Sequence, residues 1–166
     1  MDYRYEEAGW FRRLNRRLAA TRVMARVYAH TLHHLDRMTL LLTRGRTTFA
    51  ALVSGLPVIL LTTTGARSGR ERTRPVLGLP DGRELIVIGS NFGRRAHPSW
   101  YHNLRRHPLA AITHRGVTTE VSARLLEGEE RERCFAAAAA IYPGFADYRR
   151  RAAHREIGVF RLSAAY

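Results

Sequence analysis

The residues most suited to chemistry crowd a short segment, 65–74, which reads Gly-Ala-Arg-Ser-Gly-Arg-Glu-Arg-Thr-Arg. Gly65 and Gly69 bracket a tight turn in which backbone N–H groups can face outward, because glycine tolerates positive φ and lets a ligand approach the main chain. Guanidinium forks suit phosphate and carboxylate groups. The segment therefore predicts an anion-binding turn, here called the arginine turn, with the polar side chains Arg67, Ser68, Arg70, Arg72 and Arg74.

Two alternatives to anion binding apply to the arginine turn. It lacks the Gly-Lys-Ser/Thr ending of a P-loop and does not precede a predicted helix, so hydrolysis of a nucleoside triphosphate is disfavoured. A purely structural hairpin turn needs one or two glycines and no arginine. Anion binding is therefore the favoured interpretation.

An aromatic trio, Tyr142, Phe145 and Tyr148, recurs every three residues across a Pro-Gly break, which brings the three rings near one face. Core packing explains such a pattern, because aromatic side chains on one helix face usually pack. A pocket wall explains it equally well, because a dry core would leave two hydroxyl groups without partners. Trp100 and Tyr101 present the same pair of alternatives.

The sequence predicts no metal site and no disulfide. Cys134 is the single cysteine, which excludes an internal disulfide and a multi-cysteine metal site. His30, His33 and His34 have no acidic or cysteine companion nearby, so a solvated or packed helix face is expected there. No Gly-x-Ser-x-Gly elbow occurs, so nucleophilic hydrolysis has no support.

The charge of the chain points to an anionic partner. Its 166 residues contain 28 arginines and no lysine against 14 acidic residues, which gives a net charge of +14. Codon bias can replace lysine with arginine, but it does not explain the excess of base over acid. Nucleic acid, a membrane surface and a strongly anionic small molecule are the three candidates at this point.

Residues 10–42 show apolar side chains at helical spacing with arginines between them, as in basic amphipathic helices. They can pack onto the domain or dock on anionic lipid. The first residues contain no continuous apolar stretch, so we expect no secretory signal, and the sequence has no apolar run of about twenty residues that would span a bilayer. We expect a cytoplasmic protein, with peripheral contact at the inner face of the membrane through residues 10–42 as the alternative.

Hairpins and helices position these residues. Pro75 lacks an N–H and predicts that its strand is an edge or bulged strand. The order of elements predicts an α+β fold with a mostly antiparallel sheet curled into a small barrel. We expect one folding unit, with a helical segment at 1–55 packed on a barrel at 56–166. The predicted strands are 58–64, 72–79, 84–89, 109–113, 117–125 and 157–162, and the predicted helices are 99–106, 127–141 and 145–153.

Three sequence blocks, in order, resemble the deazaflavin-dependent nitroreductase family, which comprises actinobacterial oxidoreductases that use coenzyme F-420 in a split β-barrel. The first block is Leu-Thr-Thr-Thr-Gly-Ala-Arg-Ser-Gly at 61–69 with Arg72 and Pro75. The second is Ser-Asn-Phe-Gly at 90–93 with His-Pro-Ser-Trp-Tyr-His-Asn-Leu at 97–104. The third is Glu-Glu-Arg at 129–131 with Tyr-Pro-Gly-Phe-Ala-Asp-Tyr at 142–148. The likeness covers roughly residues 56–162, with a weaker part at 36–48.

The resemblance implies a split β-barrel of the FMN-binding type and assigns the cofactor to two groups of residues. The phosphate and oligoglutamate tail of coenzyme F-420 would rest on the arginine turn, at Arg67, Ser68, Gly69, Arg72 and Arg74. The deazaflavin ring would lie along the barrel near Pro75, Val76, Leu77, Ile88, Gly89, Ser90, Asn91 and Trp100. Such a cofactor is a strongly anionic small molecule, as the charge requires.

The resemblance also implies a reaction: hydride transfer from the reduced deazaflavin to an electron-poor small molecule such as a quinone, an enone or a nitroaromatic. Tyr142, Tyr148 and Ser90 are the candidate catalytic donors, and Phe145 lines the substrate pocket with the two tyrosines. Some relatives carry tyrosine where this chain has Phe145, which weakens the case for nitro-group reduction. A barrel that binds FMN, or a non-enzymatic binder of lipid or nucleic acid, are the alternatives; nucleic acid is disfavoured because no reading helix or aromatic-basic sheet motif occurs.

Overall fold

The computed structural model describes residues 58–165. Predictions made for residues 1–57 lie outside this range; they concern the segment 1–55, the amphipathic helices at 10–42, and the histidines at 30, 33 and 34. The described strands are β1 (Val58–Thr64), β2 (Glu71–Leu77), β3 (Leu79–Asp81), β4 (Glu84–Ile88), β5 (Leu109–His114), β6 (Val117–Leu125) and β7 (Val159–Ala164). The described helices are α1 (Ser99–Arg106), α2 (Gly128–Ile141) and α3 (Gly144–Arg151), with a short 3-10 turn at Asn91–Gly93.

The seven described strands form one sheet in the order β2-β1-β5-β6-β7-β4-β3, and every neighbouring pair is antiparallel. The edge strand β2 approaches β4, which lies next to the opposite edge. The sheet is therefore curled, and the predicted α+β class with a curled antiparallel sheet is confirmed. Pro75 lies in β2, so its predicted place in an edge strand is confirmed as well.

Apolar side chains bury both faces of the sheet. Strand β4 contributes to each face by alternation: Leu85 and Val87 join one cluster, and Ile86 and Ile88 join the other. The barrel-side cluster also holds Ile59, Leu61, Trp100, Tyr101, Leu104, Ile112, Val121, Ala123, Phe160 and Leu162. The helix-side cluster also holds Leu79, Leu126, Cys134, Phe135, Ala138, Tyr142, Phe145, Tyr148, Ala152, Ile157 and Val159. Helix α1 thus covers the barrel side, while α2 and α3 cover the other.

The predicted strand 72–79 is the clearest difference from the sequence analysis, because the structure divides it at Gly78. A Cβ atom at this position would lie 3.1 Å from Ile59 Cδ1, so the main chain passes close to this side chain, which would have to shift to admit a larger residue. Strand β2 ends at Leu77, still paired with β1, and β3 begins at Leu79, paired with β4. The division transfers the chain from one edge of the sheet to the other.

Candidate functional site

The arginine turn connects β1 to β2 and has the predicted tight geometry. The Gly69 N–H donates to the Gly65 carbonyl at 2.8 Å, and the Gly65 N–H donates to the Arg70 carbonyl at 2.9 Å. Gly69 has a φ of 64°, a conformation that glycine adopts without strain. A Cβ atom at Gly65 would lie 2.6 Å from Ser68 Oγ and 3.0 Å from the Arg70 carbonyl oxygen, so an added side chain would force the turn to shift.

The structure corrects the expectation that backbone N–H groups of this turn face outward. The N–H groups of Gly65 and Gly69 bond within the turn, and the Ala66 N–H donates to Asn103 Oδ1 at 2.9 Å. Three of the donors that could form a backbone anion nest therefore already have partners. Anion binding by this turn must come mainly from its side chains.

Asn103, on helix α1, fixes both limbs of the arginine turn. Its Oδ1 accepts from the Ala66 N–H, and its Nδ2 donates to Thr63 Oγ1 at 2.9 Å. The Thr63 hydroxyl in turn donates to the Arg72 carbonyl at 3.4 Å. Asn103 and Thr63 are both buried, so these bonds are made away from water, where they are costly to lose. Asn103 lies in the second sequence block, but nothing in the sequence near it indicates this role.

The guanidinium groups of the arginine turn carry the charge that an anion would meet. Among the described residues, no salt bridge engages Arg67, Arg70, Arg72 or Arg74, and all four are exposed. Five arginines elsewhere in the described range are paired with carboxylates, namely Arg124, Arg131, Arg149, Arg150 and Arg161, whereas several others, such as Arg83 and Arg133, are exposed like those of the turn. Four arginines within eight residues, against the single carboxylate of Glu71, form a strongly positive surface.

The register of β2 directs this surface toward the barrel side. Arg72 and Arg74 lie opposite Thr63 and Leu61 of β1, and directly paired residues share a face of the sheet. Leu61 and Thr63 are buried on the barrel side. Val76 follows on the same face and packs against the barrel-side cluster. The arginine turn is thus continuous with the wall of the barrel.

The predicted ring residues fall on both sides of the sheet and meet where β4 ends. Val76 and Trp100 belong to the barrel-side cluster, whereas Leu77 and Ile88 pack in the helix-side cluster. Gly89 lies between them: a Cβ atom there would be 3.4 Å from the Gly158 carbonyl oxygen and 3.6 Å from Trp100 Cη2. Four of the predicted ring residues, 88–91, are consecutive at the end of β4, and Ser90 is buried there.

The aromatic trio forms a hydrogen-bonded cluster on the helix side. The hydroxyl oxygens of Tyr142 and Tyr148 lie 3.0 Å apart, and Phe145 meets both rings edge-on. Phe92, two residues after Ser90, packs edge-on against Tyr148 with ring centroids 5.8 Å apart. Each buried hydroxyl therefore has a hydrogen-bond partner, so the two hydroxyl groups are compatible with core packing. The same contacts join the trio to the loop that carries Ser90.

Burial, reinforced by the neighbouring Tyr142, raises the pKa of Tyr148 well above its ordinary value. Tyr148 therefore stays protonated across the physiological range. Its hydroxyl can donate a hydrogen bond but cannot serve as a base.

His97 stacks on Tyr101, with ring centroids 3.9 Å apart and an interplanar angle of 11°. Its Nδ1 lies 3.2 Å from Nη1 of Arg155. A guanidinium group can only donate, so Nδ1 must accept, which assigns the proton of the neutral imidazole to Nε2. The contact requires His97 to be neutral.

We expect His97 to make the fold less stable in acid. Burial, followed by the cations Arg155, His102 and Arg105, lowers the pKa of His97 below its ordinary value. Between the folded-state pKa and the ordinary pKa, the unfolded chain binds more protons than the folded chain. The stability that neutral His97 contributes is therefore complete above the ordinary pKa and is lost as the pH falls through the folded-state pKa. The free energy of unfolding, measured with urea between about pH 5 and pH 7.5, should change less with pH in His97→Gln than in the wild-type protein. An unchanged dependence of the unfolding free energy on pH would contradict this prediction. His114, whose pKa burial also lowers, titrates in both proteins.

Two further features bear on function. Within residues 58–165, no group of three or more His, Cys, Asp or Glu side chains could hold a metal ion. None of the helices in that range is both long enough and apolar enough to cross a membrane.

Comparison with known proteins identifies a family for this chain. Residues 45–163 match the sequence model of the family described as F420H(2)-dependent quinone reductase. An F420H(2)-dependent quinone reductase of Mycobacterium tuberculosis is 38% identical over 56 residues, which cover 34% of this chain and 38% of that protein. A second such protein of the same species, a putative one, is 31% identical over 78 residues, or 47% of this chain and 66% of its own length. The aligned part thus spans well under half of the first relative.

Solved structures extend the likeness to the fold. An F420-H2 dependent reductase superposes with a TM-score of 0.59 at 35% identity, over 64% of this chain and 94% of that one. A structure described as a domain-swapped dimer superposes with a TM-score of 0.61 at 32% identity, over 82% and 96% of the two chains. The predicted split β-barrel is therefore confirmed. The chain belongs to the F420H(2)-dependent quinone reductase family, whose cofactor is coenzyme F-420.

Proposed function

We propose that this protein transfers a hydride from reduced coenzyme F-420 to an electron-poor small molecule, with a quinone as the first candidate acceptor. The observation that carries the proposal is the arginine turn, whose guanidinium groups have no carboxylate partner in the described structure and continue into the barrel wall. Quinones are favoured because the relatives above are named as quinone reductases. Enones and nitroaromatics belong to the same acceptor chemistry and are secondary candidates.

The residues of the site fit the cofactor. A phosphodiester and several carboxylates need cationic donors in a fork geometry, and the exposed arginine turn offers them. The tail would be held by Arg67, Ser68, Gly69, Arg72 and Arg74. The ring would lie at the end of β4, against Pro75, Val76, Leu77, Ile88, Gly89, Ser90, Asn91 and Trp100. When bound, coenzyme F-420 supplies the hydride, and the protein supplies placement and electrostatics.

Protein groups must also stabilise the negative charge that develops on the acceptor oxygen. Tyr148 suits this role because its hydroxyl remains protonated, and Tyr142 is bonded to it and can polarise it. Ser90 offers a third hydroxyl at the start of the adjoining loop. We therefore propose Tyr142, Tyr148 and Ser90 as the donors to the acceptor, with Phe145 packed between the two tyrosines.

The tyrosine pair should act on turnover more than on cofactor binding. Tyr148→Phe is expected to lower kcat by about a hundredfold, since removal of one preorganised donor costs on that order or more. The dissociation constant of coenzyme F-420 should change by less than about twofold, because the hydroxyl is proposed to contact the acceptor in the transition state and not the bound cofactor. Tyr101→Phe, which removes a hydroxyl from a buried ring outside the trio, serves as the control. An unchanged kcat in both Tyr142→Phe and Tyr148→Phe would return the trio to core packing alone.

The direct test of the proposed function is a titration of the purified protein with coenzyme F-420, followed by fluorescence. An assay of reduced-cofactor oxidation then compares quinones, enones and nitroaromatics at equal concentration. Binding together with oxidation by quinones supports the proposal. Binding of FMN in a parallel titration, with no binding of coenzyme F-420, would overturn it.

A further inference from the structure

The loop between β4 and α1, residues 89–97, holds an unfavourable backbone conformation. Asn91 and Phe92 both have positive φ, at 47° and 56°, and Gly93 follows at 75°. Non-glycine residues rarely adopt this region, and two in succession are strained. Such strain persists only where the surrounding structure over-determines it, and it collects at functional sites. The contacts that hold this loop in its conformation therefore bear on function.

One guanidinium group, that of Arg155, bonds the loop along most of its length. Its Nη2 donates to the Ser90 carbonyl at 2.8 Å, and its Nε donates to the Arg94 carbonyl at 3.1 Å. Its Nη1 reaches His97 Nδ1 at 3.2 Å and the Gly89 carbonyl at 3.5 Å. A planar fork with five donors can satisfy such divergent acceptors at once, whereas a lysine ammonium cannot match their geometry.

The held loop carries residues of the proposed site. Gly89 and Ser90 stand at the end of β4, where the ring residues meet, and Phe92 packs against Tyr148 of the donor pair. Each of these is within two residues of a group that Arg155 bonds. Arg155 itself lies after α3, about sixty residues further along the chain, as the separations of 61 and 65 residues from Arg94 and Ser90 show. Nothing in its local sequence indicates this role.

We propose that Arg155 is a positioning residue for hydride transfer: it holds the 89–97 loop so that Gly89, Ser90 and Phe92 form one wall of the cofactor-ring pocket. The inference rests on the proposed function. It predicts that loss of the guanidinium loosens the loop in the cofactor-free protein and thereby weakens the placement of the ring.

The test compares Arg155→Ala and Arg155→Lys with wild type, and uses Arg131→Ala as a matched control. Arg131 is likewise an arginine that donates to a backbone carbonyl, since its Nε and Nη2 donate to the Ile157 carbonyl at 3.2 and 3.1 Å; it is buried where Arg155 is half-buried, and it does not touch the loop. Amide hydrogen exchange in the cofactor-free protein reports on the Gly93 and Arg94 N–H groups, which bond to Ser90 and Asn91. Fluorescence titration gives the dissociation constant of coenzyme F-420, and kcat with a quinone completes the comparison.

Arg155→Ala is expected to speed exchange at Gly93 and Arg94 by about tenfold and to raise the dissociation constant by about tenfold. Free guanidinium ion at millimolar concentration should restore part of both losses, while Arg155→Lys should restore little. Arg131→Ala should lower thermal stability and leave loop exchange and cofactor binding at the wild-type values. This split separates positioning from general stabilisation.

Unchanged loop exchange in Arg155→Ala would overturn the inference, because the guanidinium would then not hold the loop. Faster exchange with unchanged binding and kcat would overturn it as well, because the loop would then not serve the ring site. If the wild-type protein itself does not bind coenzyme F-420, the proposed function fails, which is a result distinct from any difference between variants.

Discussion

Replacing both Arg67 and Arg72 with alanine is expected to weaken binding of coenzyme F-420 by about a hundredfold, because each charge-assisted hydrogen bond contributes roughly tenfold. Both side chains are exposed and have no salt-bridge partner among the described residues, so their loss should leave the fold intact. Fluorescence titration at two salt concentrations measures the effect. The wild-type affinity should fall with added salt more steeply than that of the double variant, since exposed charges are screened.

The control for this double variant removes the same net charge elsewhere. Arg83→Ala combined with Arg133→Ala deletes two exposed arginines, one in the turn after β3 and one on α2. Its affinity should stay within about threefold of wild type, which reflects only the lost long-range attraction. Equal weakening in both double variants would mean that net charge, and not the arginine turn, attracts the cofactor.

Replacing Asn103 with alanine should be the most damaging single substitution for the site. It removes the amide that donates to the buried Thr63 hydroxyl and accepts from the Ala66 N–H, and each such loss costs about 1–3 kcal/mol. We expect the free energy of unfolding to fall by about 3 kcal/mol, as measured by urea denaturation. Cofactor affinity should fall with it, because both limbs of the arginine turn are released.

Thr113→Val is a suitable comparison for Asn103→Ala. It removes a hydroxyl that lies 2.8 Å from the Thr118 hydroxyl at an exposed position, so the loss should stay below about 0.5 kcal/mol. If Asn103→Ala proves equally mild, then the buried bonds do not hold the turn. In that case the coupling between α1 and the arginine turn must come from packing alone.

Local signals in the sequence predicted the elements that carry the site. Helix α1 has the predicted bounds because Pro98 precedes it and His107-Pro108 ends it. The tight geometry of the arginine turn follows from the spacing of Gly65 and Gly69, whose N–H groups bond within the turn. Strand and turn chemistry of this kind acts over a few residues, and so a single sequence reveals it.

The parts that escaped prediction depend on partners far away in the chain. Asn103 meets Thr63 across 40 residues, and Arg155 meets Ser90 across 65. The mutual bond of Tyr142 and Tyr148 needed the fold of α2 against α3, although the spacing had placed both rings near one face. Polar residues with such long-range partners look like ordinary surface positions until the fold is known.

The two edges of the described sheet have a consequence for the behaviour of the protein at high concentration. Strand β2 forms one edge and contains Pro75, and the short strand β3 forms the other and contains Pro80. Proline has no N–H to offer an incoming strand, and the arginines of β2 would face like charges in a second copy. Both edges thus resist strand addition. Arg72 and Arg74, which are proposed to bind the anionic cofactor, therefore also disfavour edge-to-edge aggregation of this sheet.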